Sequence, residues 1–277
     1  MPQTKKQIQA ALAEAGSEPR HRFGQNFMID GNLVRLVADA GLLTAEDTAI
    51  EIGPGTGTLT EELLSRAAQV IAVEIDRDLA ALLRQRFADE PRFTLVEGDA
   101  LAGKHALNPQ LLTLLNARCK LVANLPYNIA SPLVIEMLIA GVPLLAFTVQ
   151  KEVADRLRAA AGHDAYGPLS IMAQLLADVE VLRMLPPQAF WPAPKIDSAL
   201  VRMIAKPTSA VSDVRAFSRF VHQLFSFRRK TLRNALTQSG IDASDALKKS
   251  SLDGHLRPEM YTPMQLMSLF DVIDIAA

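Results

Sequence analysis

The sequence predicts an α/β fold: an open, mostly parallel sheet with crossover helices, followed by a small C-terminal all-α domain. Three observations predict it. Apolar strand-like runs alternate with helical patterns from Ala49 to about Leu157, as parallel strands joined by crossover helices require. Chemically distinctive residues recur at the ends of those runs, the sheet edge where ligands bind in open α/β folds. Beyond Lys206-Pro207 the strand-like runs stop and the periodicity is helical. The expected organisation is a mobile basic arm over 1–21, a sheet domain over 22–206 and a helical domain over 207–277.

The elements read in order. Asp30 is placed to cap a helix whose apolar stripe is Leu33, Val34 and Val37 and which Gly41 closes. Thr48 to Ile52 reads as a strand, Gly53-Pro54-Gly55-Thr56-Gly57 as a glycine turn, and Thr58 to about Ala67 as a helix with Leu59, Leu63 and Leu64 at helical spacing. Val70 to Val73 is a strand ending in Glu74, and Phe93 to Val96 a strand ending in Glu97-Gly98-Asp99. Leu121-Val122-Ala123 is a strand ending in Asn124-Leu125-Pro126-Tyr127, and Leu144 to Val149 is the next. Val179 to Leu185 and Ala199 to Ile204 read as two more strands, neighbours at one edge. The proline-rich loop between them, Pro186 to Pro194, suits a wall of a substrate pocket. Val214, Phe217, Phe220, Val221, Leu224 and Phe225 form one helical face, and Thr262 to Ile275 a final amphipathic helix.

Asn124 to Tyr127 suit one chemical problem, activating an exocyclic amine on a flat ring. Such a nitrogen is a weak nucleophile because its lone pair is delocalised into the ring. The Asn124 side-chain oxygen and a backbone carbonyl near Pro126 can each accept an amine hydrogen, turning the lone pair out of the ring plane. Tyr127 supplies an aromatic face for a base. The same four residues also suit a plain strand-to-helix turn, since Asn tolerates turn geometry and Pro fixes φ. The neighbouring strand ends favour the first reading. Glycines let a backbone approach a ligand. Glu74 stands about where a nucleotide fold places its ribose-binding acid, and Asp99 where a carboxylate can accept from an adenine amino group. Glycines, acid, acid and Asn-Leu-Pro-Tyr follow the order that a Rossmann-like S-adenosylmethionine-dependent methyltransferase requires. An NAD dehydrogenase fits less well. The dinucleotide fingerprint has its third glycine where Thr58 stands, and no hydride-transfer His and acid pair is evident.

At these residues the chain resembles the ribosomal RNA adenine dimethyltransferases, and among them the bacterial enzymes of the small subunit. The resemblance runs from about Arg22 to at least Asn234. Its motifs are Phe23-Gly24-Gln25-Asn26-Phe27, Glu51-Ile52-Gly53-Pro54-Gly55, Glu74-Ile75-Asp76-Arg77-Asp78-Leu79 and Asn124-Leu125-Pro126-Tyr127-Asn128-Ile129. Gln150-Lys151-Glu152-Val153, Tyr166-Gly167 with Leu169-Ser170, Pro194-Lys195-Ile196-Asp197-Ser198-Ala199 and Arg228-Arg229-Lys230-Thr231 continue it. The resemblance implies that Asn26, Met28, Gly53, Gly55, Glu74, Asp99 and Asn124 bind S-adenosylmethionine. The family more often has Leu where Met28 stands, a swap that keeps volume and apolarity. The resemblance also implies that Asn124 and the Leu125-Pro126 backbone hold the target amine, with Tyr127 and Phe190 flanking the base. The family's triple proline after Phe190 is replaced here by Pro192-Ala193-Pro194.

The implied reaction is methyl transfer to N6 of two adjacent adenines in a hairpin loop near the 3′ end of 16S rRNA. The product would be N6,N6-dimethyladenosine, formed within the small ribosomal subunit or its precursor. Within that reading Arg228, Arg229, Lys230 and Arg233, interleaved with Phe225 and Phe227, are expected to contact RNA phosphates. Cations near a helix C-terminus also suit a solvated face. Two other readings share the fold, a large-subunit adenine methylase of the antibiotic-resistance kind and a non-catalytic assembly or transcription factor.

Bulk properties agree with a cytoplasmic, monomeric enzyme. The 277 residues allow one large and one small core. A net charge of −1 means that nucleic acid must be met by a local basic patch. The single Cys119 excludes an internal disulfide and suits a reducing compartment. His21, His105, His163, His222 and His255 lack ligand spacing, so no metal is expected. No apolar run approaches the roughly 20 residues that span a bilayer, and the amino terminus lacks a signal peptide's apolar region.

Overall fold

A computed structural model describes residues 3–103, 106–206 and 213–274. His105, Pro207 and Ile275 lie outside the described residues, as do Met1 and Pro2 of the expected arm. The chain forms two compact units, Met1–Ala154 with Val179–Ala205, and Asp155–Asp178 with Lys206–Ala277. The smaller unit thus takes up a segment that the sequence pattern placed in the sheet domain.

The larger unit begins with α1 (Lys5–Glu14), β1 (Phe27–Met28) and α2 (Gly31–Ala40). Alternation follows: β2 (Thr48–Ile52), α3 (Thr58–Leu64), β3 (Gln69–Glu74), α4 (Arg77–Arg86) and β4 (Phe93–Glu97). Next come α5 (Pro109–Leu114), β5 (Cys119–Asn124), α6 (Ala130–Ile139) and β6 (Leu144–Gln150). The chain passes between the units within α7 (Lys151–Arg158), continues through α8 (Pro168–Leu176), and returns within β7 (Ala177–Leu185). The short β8 (Phe190–Trp191) and then β9 (Ser198–Ala205) complete the larger unit.

The main sheet has the order β4-β3-β2-β5-β6-β9-β7, with β2 to β6 parallel and β9 antiparallel to β6. β2 and β3 are buried almost end to end, which is why they read as near-continuous apolar runs. The chain moves outward from β2 to β3 and β4, then crosses back to β5. The crevice between the carboxyl ends of β2 and β5 is therefore the topological switch point, where such sheets bind ligands. Asp30 caps α2, its side chain accepting from Asn32 N at 2.8 Å. Gly41 closes that helix for a packing reason: a Cβ there would stand 2.4 Å from Val122 on β5.

Residues 1–21 differ from the expected mobile arm. Thr4 caps α1 through a reciprocal capping box with Gln7. Ile8 and Leu12 are buried in a small cluster with Phe27 and Leu79, against which Trp191 packs. Burying two such side chains stabilises by roughly 1.5–3 kcal/mol each, enough to dock a helix whose remaining residues are mostly polar. β1 pairs antiparallel with β8, so Met28 stands opposite Phe190.

The smaller unit is helical beyond Lys206: α9 (Val214–Ser226), α10 (Leu232–Gln238), α11 (Ala243–Ser250) and α12 (Pro263–Asp274). Phe217, Phe220 and Phe270 form its aromatic centre, with ring centroids 5.5–6.3 Å apart. No helix among the described residues is long and apolar enough to cross a membrane.

Candidate active site

A cleft opens at the switch point. The β2 edge contributes Glu51, Gly53 and Gly55, the β3 edge Glu74, the β4 edge Gly98 and Asp99, and the β5 edge Asn124 and Pro126. Asn26 and Met28 close it from the amino-terminal segment. The structure thus brings together every residue expected to hold the cofactor. Leu125 is buried beneath the turn and Tyr127 is half-buried beside it; neither side chain lines the cleft.

The glycines are there for close approach. Gly53 and Gly55 both take positive φ, 72° and 61°. A Cβ at Gly53 would stand 3.0 Å from Pro126, and one at Gly55 2.8 Å from Phe27. A side chain at either position would be strained at positive φ and would press on Pro126 or Phe27 at the rim of the cleft.

The acids differ in environment. Glu74 accepts from Gly55 N at 3.2 Å and from Asp76 N at 2.9 Å, and is 4 % exposed. Burial pushes its carboxyl up to about 7, the backbone donors opposing the rise. Glu51 is buried more completely. Burial raises its carboxyl to about 8, while the Thr60 hydroxyl, donating at 2.6 Å, pulls the other way and Glu74 adds repulsion. Asp99 is exposed, one oxygen accepting from Leu101 N at 3.0 Å.

Asn124 is held at both ends of its amide. Its Nδ2 donates to the Asn26 carbonyl at 2.6 Å, and its Oδ1 accepts from the Thr148 hydroxyl at 2.5 Å. Because a carbonyl only accepts, Asn26 fixes which end is NH2 and turns Oδ1 the other way. The following turn is closed by Ile129 N donating to the Pro126 carbonyl at 3.2 Å. Burial pushes the Tyr127 phenol up, against the pull of its bond with Ser198, so it stays neutral.

One expectation is corrected. Phe190 is 2 % exposed and belongs to the sheet core with Met28 and Leu200. The pairing of β8 with β1 turns its ring inward, so it has no open face for a base. Trp191 beside it stacks on Phe27 at 6.3 Å and carries Lys5 over its ring.

Arg228, Arg229, Lys230 and Arg233 are all exposed and lie in the smaller unit. Two of them have different partners. Arg228 donates to the Asp164 carbonyl at 2.9 Å, whereas Arg233 reaches Ser244 at 3.3 Å. Sequence reasoning gave no role to Arg20, Thr60, Thr148 or Ser198. Ser198 falls within a motif of the resemblance but, like the others, has a partner that its neighbours in the sequence do not reveal.

The site fits S-adenosylmethionine: a backbone cradle that excludes side chains, a buried carboxylate with acceptor capacity to spare, and acidic residues toward a cationic ligand. The sequence pattern of the family described as "Ribosomal RNA adenine dimethylase" matches residues 16–274. Among its relatives is the "Ribosomal RNA small subunit methyltransferase A" of Magnetococcus marinus, 44% identical over 267 residues, covering 95% of this chain and 94% of that protein. A dimethyladenosine transferase from Plasmodium falciparum shares the fold, with a TM-score of 0.74 at 24% identity over 90% of this chain and 98% of that one. The 23S rRNA methyltransferase ErmE superposes with a TM-score of 0.63 at 25% identity, over 90% of this chain and all of ErmE. The chain belongs to the ribosomal RNA adenine dimethylase family, whose members are S-adenosylmethionine-dependent methyltransferases.

Proposed function

We infer that this chain methylates N6 of two adjacent adenines in a hairpin loop near the 3′ end of 16S rRNA. The product is N6,N6-dimethyladenosine, made during small-subunit biogenesis. The observation that carries the reading is the Asn124-Leu125-Pro126-Tyr127 turn, whose Asn124 amide is held at both ends beside the cradle of Gly53 and Gly55. The choice of subunit is supported by the 44% identity to a small-subunit methyltransferase, against 25% to a 23S rRNA enzyme of the same fold.

Asn26, Met28, Gly53, Gly55, Glu74 and Asp99 would hold the cofactor, Glu74 accepting from ribose hydroxyls and Asp99 from the adenine amine. When bound, S-adenosylmethionine supplies an already activated methyl group on a cationic sulfur. The protein's task is then alignment and exclusion of water. Asn124 Oδ1 and a Leu125-Pro126 carbonyl accept the hydrogens of the target amine, and Tyr127 stacks on the flipped base. No strong general base is needed, because the attacked nitrogen becomes acidic as it is alkylated. Arg228, Arg229, Lys230 and Arg233 meet phosphates and position the RNA without reading its sequence. The enzyme works as a monomer in the cytoplasm.

The test is incubation with labelled S-adenosylmethionine and unmethylated small or large subunits, followed by mapping of the modified adenines. Label is expected at two adjacent adenines of small-subunit RNA. Label only in large-subunit RNA would overturn the assignment.

A further inference from the structure

The segment from Gln3 to Met28 reaches the cleft at Phe23 to Met28 and, besides the pairing of β1 with β8, is fastened at three places. Gln3 Oε1 accepts from the hydroxyls of Thr56 and Thr58, both at 2.6 Å, beside the glycine turn. Ile8, Leu12 and Phe27 pack on Leu79. The third fastening is polar and centres on Asp76, which is 1% exposed.

Asp76 Oδ1 accepts from Arg20 Nη1 at 2.6 Å, and Oδ2 from Gln25 Nε2 at 3.0 Å. The other tine of Arg20 reaches Asp78 Oδ2 at 2.5 Å. Arg20 N donates to Gln25 Oε1 at 2.7 Å, so the two residues brace each other. A guanidinium forked across two carboxylates fixes direction in a way that a lysine cannot. Asp76 lies behind the cleft rather than on it, and its own N–H donates to Glu74 Oε1 at 2.9 Å, on the acid that does line it. The residue after Gln25 is Asn26, whose carbonyl receives Asn124 Nδ2 at 2.6 Å. One unbroken path therefore runs from the ribose-side acid to the amide beside the target amine.

We propose that Arg20 and Gln25 are positioning residues that couple the cofactor cleft to the orientation of the Asn124 amide, through Asp76 and the Asn26 carbonyl. The proposal rests on the amine-orienting role of Asn124 given above. Without Arg20, Asp76 is a buried charge missing its cationic partner, so the segment rearranges. Once the Asn26 carbonyl withdraws, nothing on that side distinguishes NH2 from oxygen. The Thr148 hydroxyl serves either amide orientation, because it can donate or accept. A flipped amide presents a donor where the amine hydrogens need an acceptor.

The test measures single-turnover methylation of unmethylated small subunits, S-adenosylhomocysteine affinity and melting temperature. The variants are Arg20→Gln, Arg20→Lys and Gln25→Ala, with Arg20→Gln also combined with Asn124→Ala. Misplacing a reacting group by about 1 Å costs on the order of 10²-fold, so Arg20→Gln should lose about 10- to 100-fold in rate. Its affinity for S-adenosylhomocysteine should weaken as well, and Arg20→Lys should recover only part of both. In the Asn124→Ala background, Arg20→Gln should add no further rate loss while affinity still falls. An unchanged rate in Arg20→Gln, or independent losses in the double variant, overturns the coupling and leaves the Asn124 role standing. A lowered melting temperature with normal rate and affinity reduces the clasp to a structural brace and overturns it too. Near-normal turnover in Asn124→Ala alone removes the reading beneath.

Discussion

The hydroxyls of Tyr127 and Ser198 stand 2.7 Å apart, tying the turn after β5 to the first residue of β9. The bond orients the ring, whereas the proposed chemistry uses only its face. Tyr127→Phe should therefore keep most activity, losing about 0.5–1.5 kcal/mol of stability with the hydrogen bond. Tyr127→Ala should lose roughly 1–3 kcal/mol of base stacking, about 5- to 150-fold in kcat/KM. Equal losses in the two variants would assign the phenol, not the face, to catalysis.

Asn124→Ala should lower kcat on the order of 10²-fold or more, by analogy with removal of one preorganised polar partner. Cofactor affinity should change far less. Glu74→Ala should do the reverse, weakening the cofactor by roughly 1.5–3 kcal/mol. Titration of S-adenosylhomocysteine beside initial rates separates them, and matching profiles for both variants would refute the division of labour.

Glu51 and Glu74 hold their carboxyl protons to about 8 and 7, against an ordinary value of 4.5. The folded state thus binds more protons than the unfolded chain between those limits. Their contribution to stability is complete below about 4.5 and is lost as pH rises through 7 and 8. Melting temperature should fall over that window, and Glu51→Gln should flatten part of the fall. Parallel curves for the variant and the parent would show that Glu51 ionises freely.

Replacing Arg228, Arg229, Lys230 and Arg233 with Gln should weaken rRNA binding with little dependence on sequence. The log–log salt slope should flatten by roughly one unit for each phosphate no longer neutralised. Cofactor affinity should hold, since the cleft belongs to the other unit. Arg228 and Arg233 have different partners, so their single variants should contribute separately. An unaltered slope in a folded variant would move the RNA surface elsewhere.

What the sequence made legible follows from local chemistry. β2, β3 and β5 are buried on both faces, so their apolar runs announced themselves, and the polar residues at their ends marked the functional edge. Val179 to Leu185 and Ala199 to Ile204 were expected as edge neighbours, and β7 and β9 are adjacent there. The Ala-rich sequence after Lys5-Lys6 reads as helical, but the docking of that helix was hidden because only Ile8 and Leu12 mark its buried face. Asp155–Asp178 joins the smaller unit through tertiary packing that no change of composition signals. At the site, Asn124, Glu74 and Asp99 were legible as strand-end polars. Arg20 was not, because its meaning lies 56 residues away at Asp76.

The docking of α1 also sets an order of assembly during synthesis. Ile8 leaves the ribosome early, yet Trp191, which covers its cluster, is made 183 residues later. At about 5–20 residues per second that interval is roughly 10–40 s. The nascent chain can complete β2 to β6 before its own beginning has a full surface to settle on. The cleft's amino-terminal wall is then translated before the strands it closes over and finished after them.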